Sequence, residues 1–158
     1  MSTKPSPANL SVEAPEELVD GVTRMLSETF MLYLKTHGFH WNVEGPHFVS
    51  LHTLFEQQYT ELWTAIDVIA EHLRAMGVYA PTSYAQFAAN SAIKDTDKVS
   101  DARAMIGELV AGNEAVAATL KDVIALAEKH GCPGTADLAT QRLDVHNKAA
   151  WMLRSLLK

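Results

Sequence analysis

The sequence predicts an all-α protein, an antiparallel four-helix bundle with a short helix in its middle connection. Apolar residues recur at helical spacing in four long stretches, and no segment shows the alternating pattern of a strand. The length of 158 residues fits one domain, which we place at 14–158. Residues 1–13 are polar and contain Pro5 and Pro7, so they are predicted to form a flexible N-terminal tail.

The first two helices are predicted on either side of a Gly-Pro break. The first covers about 15–41, since Pro15 suits a first helical turn. The second covers about 47–76, because the proline of Gly45-Pro46 disfavours helix at the residue before it. The predicted core positions of these helices are Leu18, Val22, Met25, Leu26, Phe30 and Tyr33, then Phe48, Leu51, Phe55, Leu62, Ile66, Ile69 and Leu73.

The second half of the chain predicts one short and two long helices. The stretch APTSYAQFAANSAI at 80–93 is a connection with room for one short helix. A third long helix is predicted at 99–129, ended by Gly131 and Pro133. The fourth is predicted at 135–157, with its first residue, a threonine, as the N-cap.

Composition and charge exclude several classes of protein. Hydrophobic residues make up 47% and charged residues 20%, which is ordinary for a globular domain. The net charge of −6 argues against strong nucleic-acid binding and favours cations as partners. Cys132 stands alone, so no disulfide forms within one chain, and we interpret it as a loop thiol. Because no signal-peptide pattern or membrane span is recognisable, we expect a cytoplasmic protein.

Histidines are concentrated where the first two helices meet. The segment KTHGFHWNVEGPHFVSLHTLFE, at 35–56, contains four of the seven histidines. An antiparallel helix pair brings His40, before the turn, to a similar height as His52, after it. Glu56 follows His52 by four residues, so both side chains can approach one ion. The remaining two histidines of the segment are His37 and His47.

A second face of the second helix carries acids. At 100° per residue, His52, Glu56, Trp63, Asp67 and Glu71 lie about 115° around from the core stripe. A solvated helix face is the simple interpretation, but an aromatic residue among carboxylates favours a covered face and hence a subunit contact. Asp67 begins 15 residues beyond His52, which is about 22 Å along a helix and too far to share an ion.

A two-fold partner whose second helix packs antiparallel on this face would bring the two groups of ligands together. The histidines and Glu56 of one chain would then meet Asp67 and Glu71 of the other, forming two identical sites. Such mixed imidazole and carboxylate ligands suit iron, zinc or manganese.

A metal site inside one bundle is a weaker alternative. Such di-iron sites use Glu-x-x-His motifs on helices. The only match here joins Glu44 to His47 and contains Gly45-Pro46, so it cannot be helical.

The motifs HGFHWNVEGPHFVSLHTLFE, AIDVIAEHLRAMG and AAWMLRSLL resemble those of the Dps family, the miniature ferritins named as DNA-binding proteins from starved cells. The resemblance covers about 16–157 and implies a ferritin-like bundle. It implies a ferroxidase site with His40, His52 and Glu56 from one subunit and Asp67 and Glu71 from its two-fold partner. Glu56 stands where many family members have Asp, and Trp41 matches the family tryptophan beside the site.

The resemblance implies an activity and an assembly as well. Two ferrous ions would bind at each site and be oxidised, preferably by hydrogen peroxide. A dodecameric hollow shell would store the ferric mineral and protect against oxidative damage. Asp137 and Asp144, seven residues apart on the fourth helix, are the candidates for a three-fold pore that admits iron; ordinary solvated acids are the alternative.

Other interpretations stay open. His37 is either an outer ligand or a surface or hydrogen-bonding histidine, and His47 either caps the second helix or occupies the corner. A DNA-compacting protein with a secondary metal site is the main functional alternative. The first 20 residues contain one lysine and four acids, so DNA binding is expected to be weak. A zinc or manganese assembly without oxidation is a third possibility.

Overall fold

The computed structural model describes residues 14–158 and confirms the predicted all-α bundle. Within this range it contains four long helices and one short helix. They are α1 (Glu16–Asn42), α2 (Phe48–Ala75), α3 (Tyr84–Ala89), α4 (Ala102–Lys129) and α5 (Pro133–Ser155). The short helix lies in the middle connection, as predicted. The predicted flexible tail, residues 1–13, lies outside the described residues.

The long helices pack as two antiparallel pairs. α1 packs on α2 and α4 on α5, while α1 also contacts α4 and α3. Lys129, at the end of α4, donates to Glu17 at the start of α1 (2.6 Å), and His72, near the end of α2, is hydrogen-bonded to Thr135 at the start of α5 (2.8 Å). The ends of α2 and α4 are therefore at the same end of the bundle. Because they end together, α2 and α4 run parallel, and the connection at 76–101 has to span the bundle's length.

The observed starts of α4 and α5 differ from the predicted ones for identifiable reasons. α4 begins three residues later, because the Asp101 side chain accepts a hydrogen bond from the Ala104 backbone N–H (2.7 Å) and caps the helix. α5 begins at Pro133, whose missing N–H costs nothing in a first turn. The prediction that Thr135 is the N-cap is wrong: Cys132 holds that position, and Thr135 lies inside the helix.

The predicted core residues are buried, except for those at the edge of the core. Leu18, Phe55 and Ile69 are among the fully buried side chains. Phe48 was predicted in the core but is 41% exposed, because it is the first residue of α2, directly above the turn. Phe30, Tyr33 and Ile66 are half-buried and pack against the edge of the core.

The helices α1 and α4 approach each other closely at one glycine. A Cβ atom at Gly112 would lie 2.7 Å from the Leu32 Cδ1 atom. Any larger side chain would force the two helices apart or displace Leu32.

A buried polar network joins α2, α4 and α5. Arg142 donates to both carboxylate oxygens of Glu61, and its guanidinium is 3.2 Å from His146 Nε2. His146 Nδ1 is 2.9 Å from Asn113 Oδ1. Because Arg142 can only donate and the Asn113 oxygen can only accept, His146 is neutral with its proton on Nδ1. Burial, reinforced by the Arg142 charge, lowers the pKa of His146 to about 3.

Candidate metal centre

His40 and His52 form a reciprocal pair at the corner between α1 and α2. Their rings are stacked with centroids 3.7 Å apart. His40 Nδ1 lies 2.8 Å from the His52 carbonyl oxygen, and His52 Nδ1 lies 2.7 Å from the His40 carbonyl oxygen. A carbonyl oxygen only accepts, so each Nδ1 carries its proton and donates it. Both Nε2 lone pairs are thereby left for a metal, the arrangement in which protein imidazoles bind metals.

The local chain geometry explains why this pair forms. His40 is in the last turn of α1, where it is buried, and His52 is in the first turns of α2. The tight turn at 43–47 reverses the chain between them, with Gly45 in the left-handed region at φ +115°. The ring of Phe48 also stacks on His52, with centroids 5.0 Å apart. The expectation that the two histidines lie at similar heights is confirmed.

Two of the predicted acid ligands lie far from the histidines within one chain, as expected. Asp67 and Glu71 are exposed on α2, which rises about 22 Å between His52 and Asp67, whereas Glu56 is exposed one turn from His52. Within residues 14–158, no three His, Cys, Asp or Glu side chains of one chain are grouped closely enough to hold a metal. The shared ligand set of two subunits therefore stays a prediction.

Large aromatic side chains are exposed beside these residues. Trp63 is 61% exposed on the α2 face that carries the acids, and Trp41, next to His40, is 63% exposed. Tryptophan side chains exposed to this extent are typical of a surface that another protein covers.

Sequence reasoning missed a tyrosine–histidine cluster, formed by Tyr33, His37 and Tyr59, beside His40. The Tyr33 hydroxyl is hydrogen-bonded to His37 Nδ1 (3.0 Å), and the His37 ring stacks on Tyr59 at 3.8 Å. Tyr59 meets the His40 ring edge-on at 5.1 Å. The i, i+4 spacing of Tyr33 and His37 was the available signal.

Two pKa values within this cluster are shifted. Burial, with a smaller contribution from the charge of Tyr59, raises the pKa of Tyr33. Burial, with a smaller contribution from His40, lowers the pKa of His37. Both shifts favour the neutral form of the side chain.

The other candidate residues lie apart from the histidine pair. His47 occupies the N-cap position of α2, but its side chain makes no capping hydrogen bond. Asp137 and Asp144 are exposed on α5, and Gln141 donates to the Asp137 carboxylate at 2.7 Å. Their role as a pore stays a prediction.

Comparison with known proteins finds relatives of this chain over most of its length. A family model described as a ferritin-like domain matches residues 19–158. DNA protection during starvation protein 2 of Bacillus anthracis is 30% identical over 142 residues, covering 90% of this chain and 97% of that protein. The crystal structure of a Dps protein from Vibrio cholerae superposes with a TM-score of 0.87 and 29% identity, covering 90% of each chain.

The chain belongs to the Dps family of ferritin-like proteins. A low-temperature-induced protein of Nostoc is also similar, 34% identical over 151 residues, with 94% of this chain and 84% of that protein covered. The structure of the Vibrio cholerae Dps protein is described as that of a ferritin-like diiron-carboxylate protein. In the described part of this Dps chain, no helix is both long and apolar enough to cross a membrane.

Proposed function

We propose that the protein is a Dps-type ferroxidase and iron-storage protein. It oxidises Fe(II), preferably with hydrogen peroxide, at sites shared between two-fold related subunits. It stores the ferric product inside a hollow, dodecameric shell and so protects the cell against oxidative damage. Iron is the substrate and the cargo of this activity, with two ferrous ions at each site.

The reciprocal histidine pair is the observation that supports a metal site most directly. Each Nδ1–H is held by the other residue's backbone carbonyl, so both rings are fixed in one orientation and one tautomer. Such preorganisation lowers the conformational cost of binding a metal with Nε2.

A single two-fold axis can complete the site at both ends of α2. In an antiparallel contact, His52 would pair with the partner subunit's Glu71, and Glu56 would pair with the partner subunit's Asp67. Both pairings have the same midpoint on α2, between Glu61 and Leu62. Both pairings can therefore be satisfied at once by two antiparallel α2 helices. Trp63, exposed near that midpoint, would be covered by this contact.

The two kinds of proposed ligand, imidazole and carboxylate, have different roles. The imidazoles of His40 and His52 favour ferrous iron, while carboxylates stabilise the ferric product through their negative charge. Glu56 and the partner subunit's Asp67 and Glu71 would supply that charge. Two ferrous ions provide both electrons that reduce one peroxide, so no hydroxyl radical needs to leave the site.

An anaerobic iron assay tests this function. Protein loaded with two ferrous ions per site is mixed with hydrogen peroxide, and ferric absorbance and spin-trapped hydroxyl radical are followed together. We expect fast ferric formation with little trapped radical, compared with the same iron in buffer. Abundant trapped radical, or binding of iron without oxidation, would contradict the proposal; the second result would favour a zinc or manganese assembly.

A pore role is proposed for Asp137 and Asp144. Replacing both with Asn is expected to slow oxidation at limiting iron several-fold, because acids in a funnel raise the local cation concentration. The rate is measured at low ionic strength, with native mass as a check on assembly. Asp122→Asn, at another exposed acid, is the matched control. Equal rates for the pore variant and the control would rule this role out.

DNA compaction is a second candidate, favoured by the name of the Bacillus anthracis relative. The net charge of −6 and the scarcity of lysine near the N-terminus count against it. A gel-shift experiment at about 150 mM salt, where surface charges are strongly screened, separates the two functions. Tight binding under those conditions would place DNA compaction first.

A further inference from the structure

A cavity separates α2 from α5, and neither the proposed iron site nor the proposed pore uses it. α1 packs on α2 and on α4, and α4 packs on α5, whereas α2 and α5 make almost no close contact within the described residues. The gap between them has a volume of about 300 Å³, at the small end of the range for pockets that bind small molecules. We call it the α2–α5 groove, and its apolar lining residues are Leu54, Leu62, Val145, Ala149 and Met152.

The polar groups of the groove leave hydrogen-bonding capacity unused. Gln58 lines the groove from α2, and its Nε2 atom is buried without a hydrogen-bond partner among the described residues. The Nε atom of Arg142, whose partners Glu61 and His146 also line the groove, is in the same condition. Buried donors without a partner are rare in proteins and cost free energy. A hydrogen-bond acceptor bound beside Gln58 would remove that cost.

The charges around the groove favour an anion. Glu61 is paired with Arg142, so these two charges compensate each other. Lys148 lines the groove from α5, is exposed, and makes no ion pair in the described part of the chain. The Lys148 ammonium and the Gln58 amide therefore offer donors from opposite walls. A metal cation does not fit, because within residues 14–158 no three His, Cys, Asp or Glu side chains are grouped closely enough to hold one.

The groove faces away from the proposed two-fold contact. At 100° per residue, the groove residues of α2, such as Leu54, Gln58 and Glu61, are centred about 160° around the helix from the face that carries His52 and Trp63. Two subunits joined through that face would each keep the groove open to a ligand.

We propose that the α2–α5 groove binds a small carboxylate with an apolar body. The carboxylate accepts hydrogen bonds from the Lys148 ammonium and the Gln58 amide, and the body lies against the apolar wall that includes Leu62 and Met152. Burial of the body supplies affinity, and the charge-assisted hydrogen bond fixes the orientation of the ligand. The binding needs no iron, so it is independent of the proposed ferroxidase function.

Isothermal titration calorimetry of the assembled, iron-free protein with octanoate tests the proposal. We expect saturable binding of one octanoate per subunit. Octanol has the same apolar body without the charge, and acetate has the charge without the body. Each should bind at least about tenfold more weakly, because a hydrogen bond to a charged group or the burial of an alkyl chain is lost. Octanol that binds as tightly as octanoate would overturn the recognition of a carboxylate.

Variants at the two donors locate the carboxylate. Lys148→Gln should weaken octanoate binding about tenfold and leave octanol binding unchanged, because only the charge is removed. Gln58→Leu removes the second donor and should also weaken octanoate binding. Lys121→Gln, at an exposed lysine on α4, is the matched control and should bind octanoate like the wild type. Equal affinity of the wild type and Lys148→Gln for octanoate would overturn the proposal.

A bulky side chain in the groove separates this ligand from other occupants. Ala149→Phe fills part of the cavity and should abolish octanoate binding, while helix content and native mass stay those of the wild type. Unchanged binding in Ala149→Phe would place octanoate elsewhere and overturn the proposal. A wild type that does not bind octanoate overturns it as well, and a lowered native mass of Ala149→Phe would then identify a neighbouring subunit as the occupant.

Discussion

A mixture of two inactive variants is expected to recover about a quarter of the ferroxidase sites. One variant is His40→Ala with His52→Ala, and the other is Asp67→Ala with Glu71→Ala. Each alone should lose most of the activity, because half of the ligand set is missing from every site. In a mixed dimer, one site contains both pairs of alanine substitutions, whereas the other contains intact histidines and intact acids.

The recovered fraction follows from random pairing. After dissociation, equal mixing and reassembly, about half of the dimers are mixed, and one of the two sites in each is complete. Each variant dissociated and reassembled alone is the control, and it should stay inactive. Zero recovery, with subunit exchange demonstrated by native mass, would contradict a site shared between subunits, since a site within one chain cannot be repaired by mixing.

The largest expected effect on stability concerns His146 at acidic pH. Burial lowers the pKa of this histidine from 6.5 to about 3 in the folded protein. The unfolded chain therefore binds more protons than the folded one between these values, and the free energy of unfolding falls as the pH is lowered through them. The loss amounts to roughly 3–5 kcal/mol when the pH reaches 3.

A glutamine at this position isolates the contribution of His146. The amide of His146→Gln can donate to Asn113 and accept from Arg142 but does not titrate, so the acid-dependent loss should become smaller by most of that amount. His47→Gln, at an exposed histidine, is the control and should follow the wild type. Urea denaturation is measured from pH 7 to pH 3 at one protein concentration, because assembly also contributes to stability. Parallel pH profiles for wild type and His146→Gln would contradict the prediction.

Helix positions were predictable because they depend on periodicity and on residues close in sequence. The four long helices and the short one appear where apolar spacing and Gly45-Pro46 place them. Errors occurred where two local signals competed. Thr135 resembles an N-cap, but Pro133 begins the helix earlier, and the threonine is instead hydrogen-bonded to His72 across the bundle.

The candidate site was predictable only in part. The heights of His40 and His52 followed from the turn between two antiparallel helices, and the structure places their rings in contact. The predicted ligation by Glu56, Asp67 and Glu71 came from spacing and from the resemblance to Dps proteins, and it stays a prediction for the mixing experiment. Spacing within one helix cannot show which residues of a second chain approach it.

The sequence by itself determined the fold class, the family motifs and the face of α2 that carries the acids, since each is a property of residues near one another along the chain. Only the tertiary structure decided which hydrogen bonds the buried polar groups make. His40 and His52 each donate an Nδ1–H bond to the other residue's backbone carbonyl, and the His37 ring stacks on Tyr59. Both arrangements depend on how α1 and α2 are rotated against each other. That rotation results from packing the whole core, in which each side chain has to fit its neighbours at once.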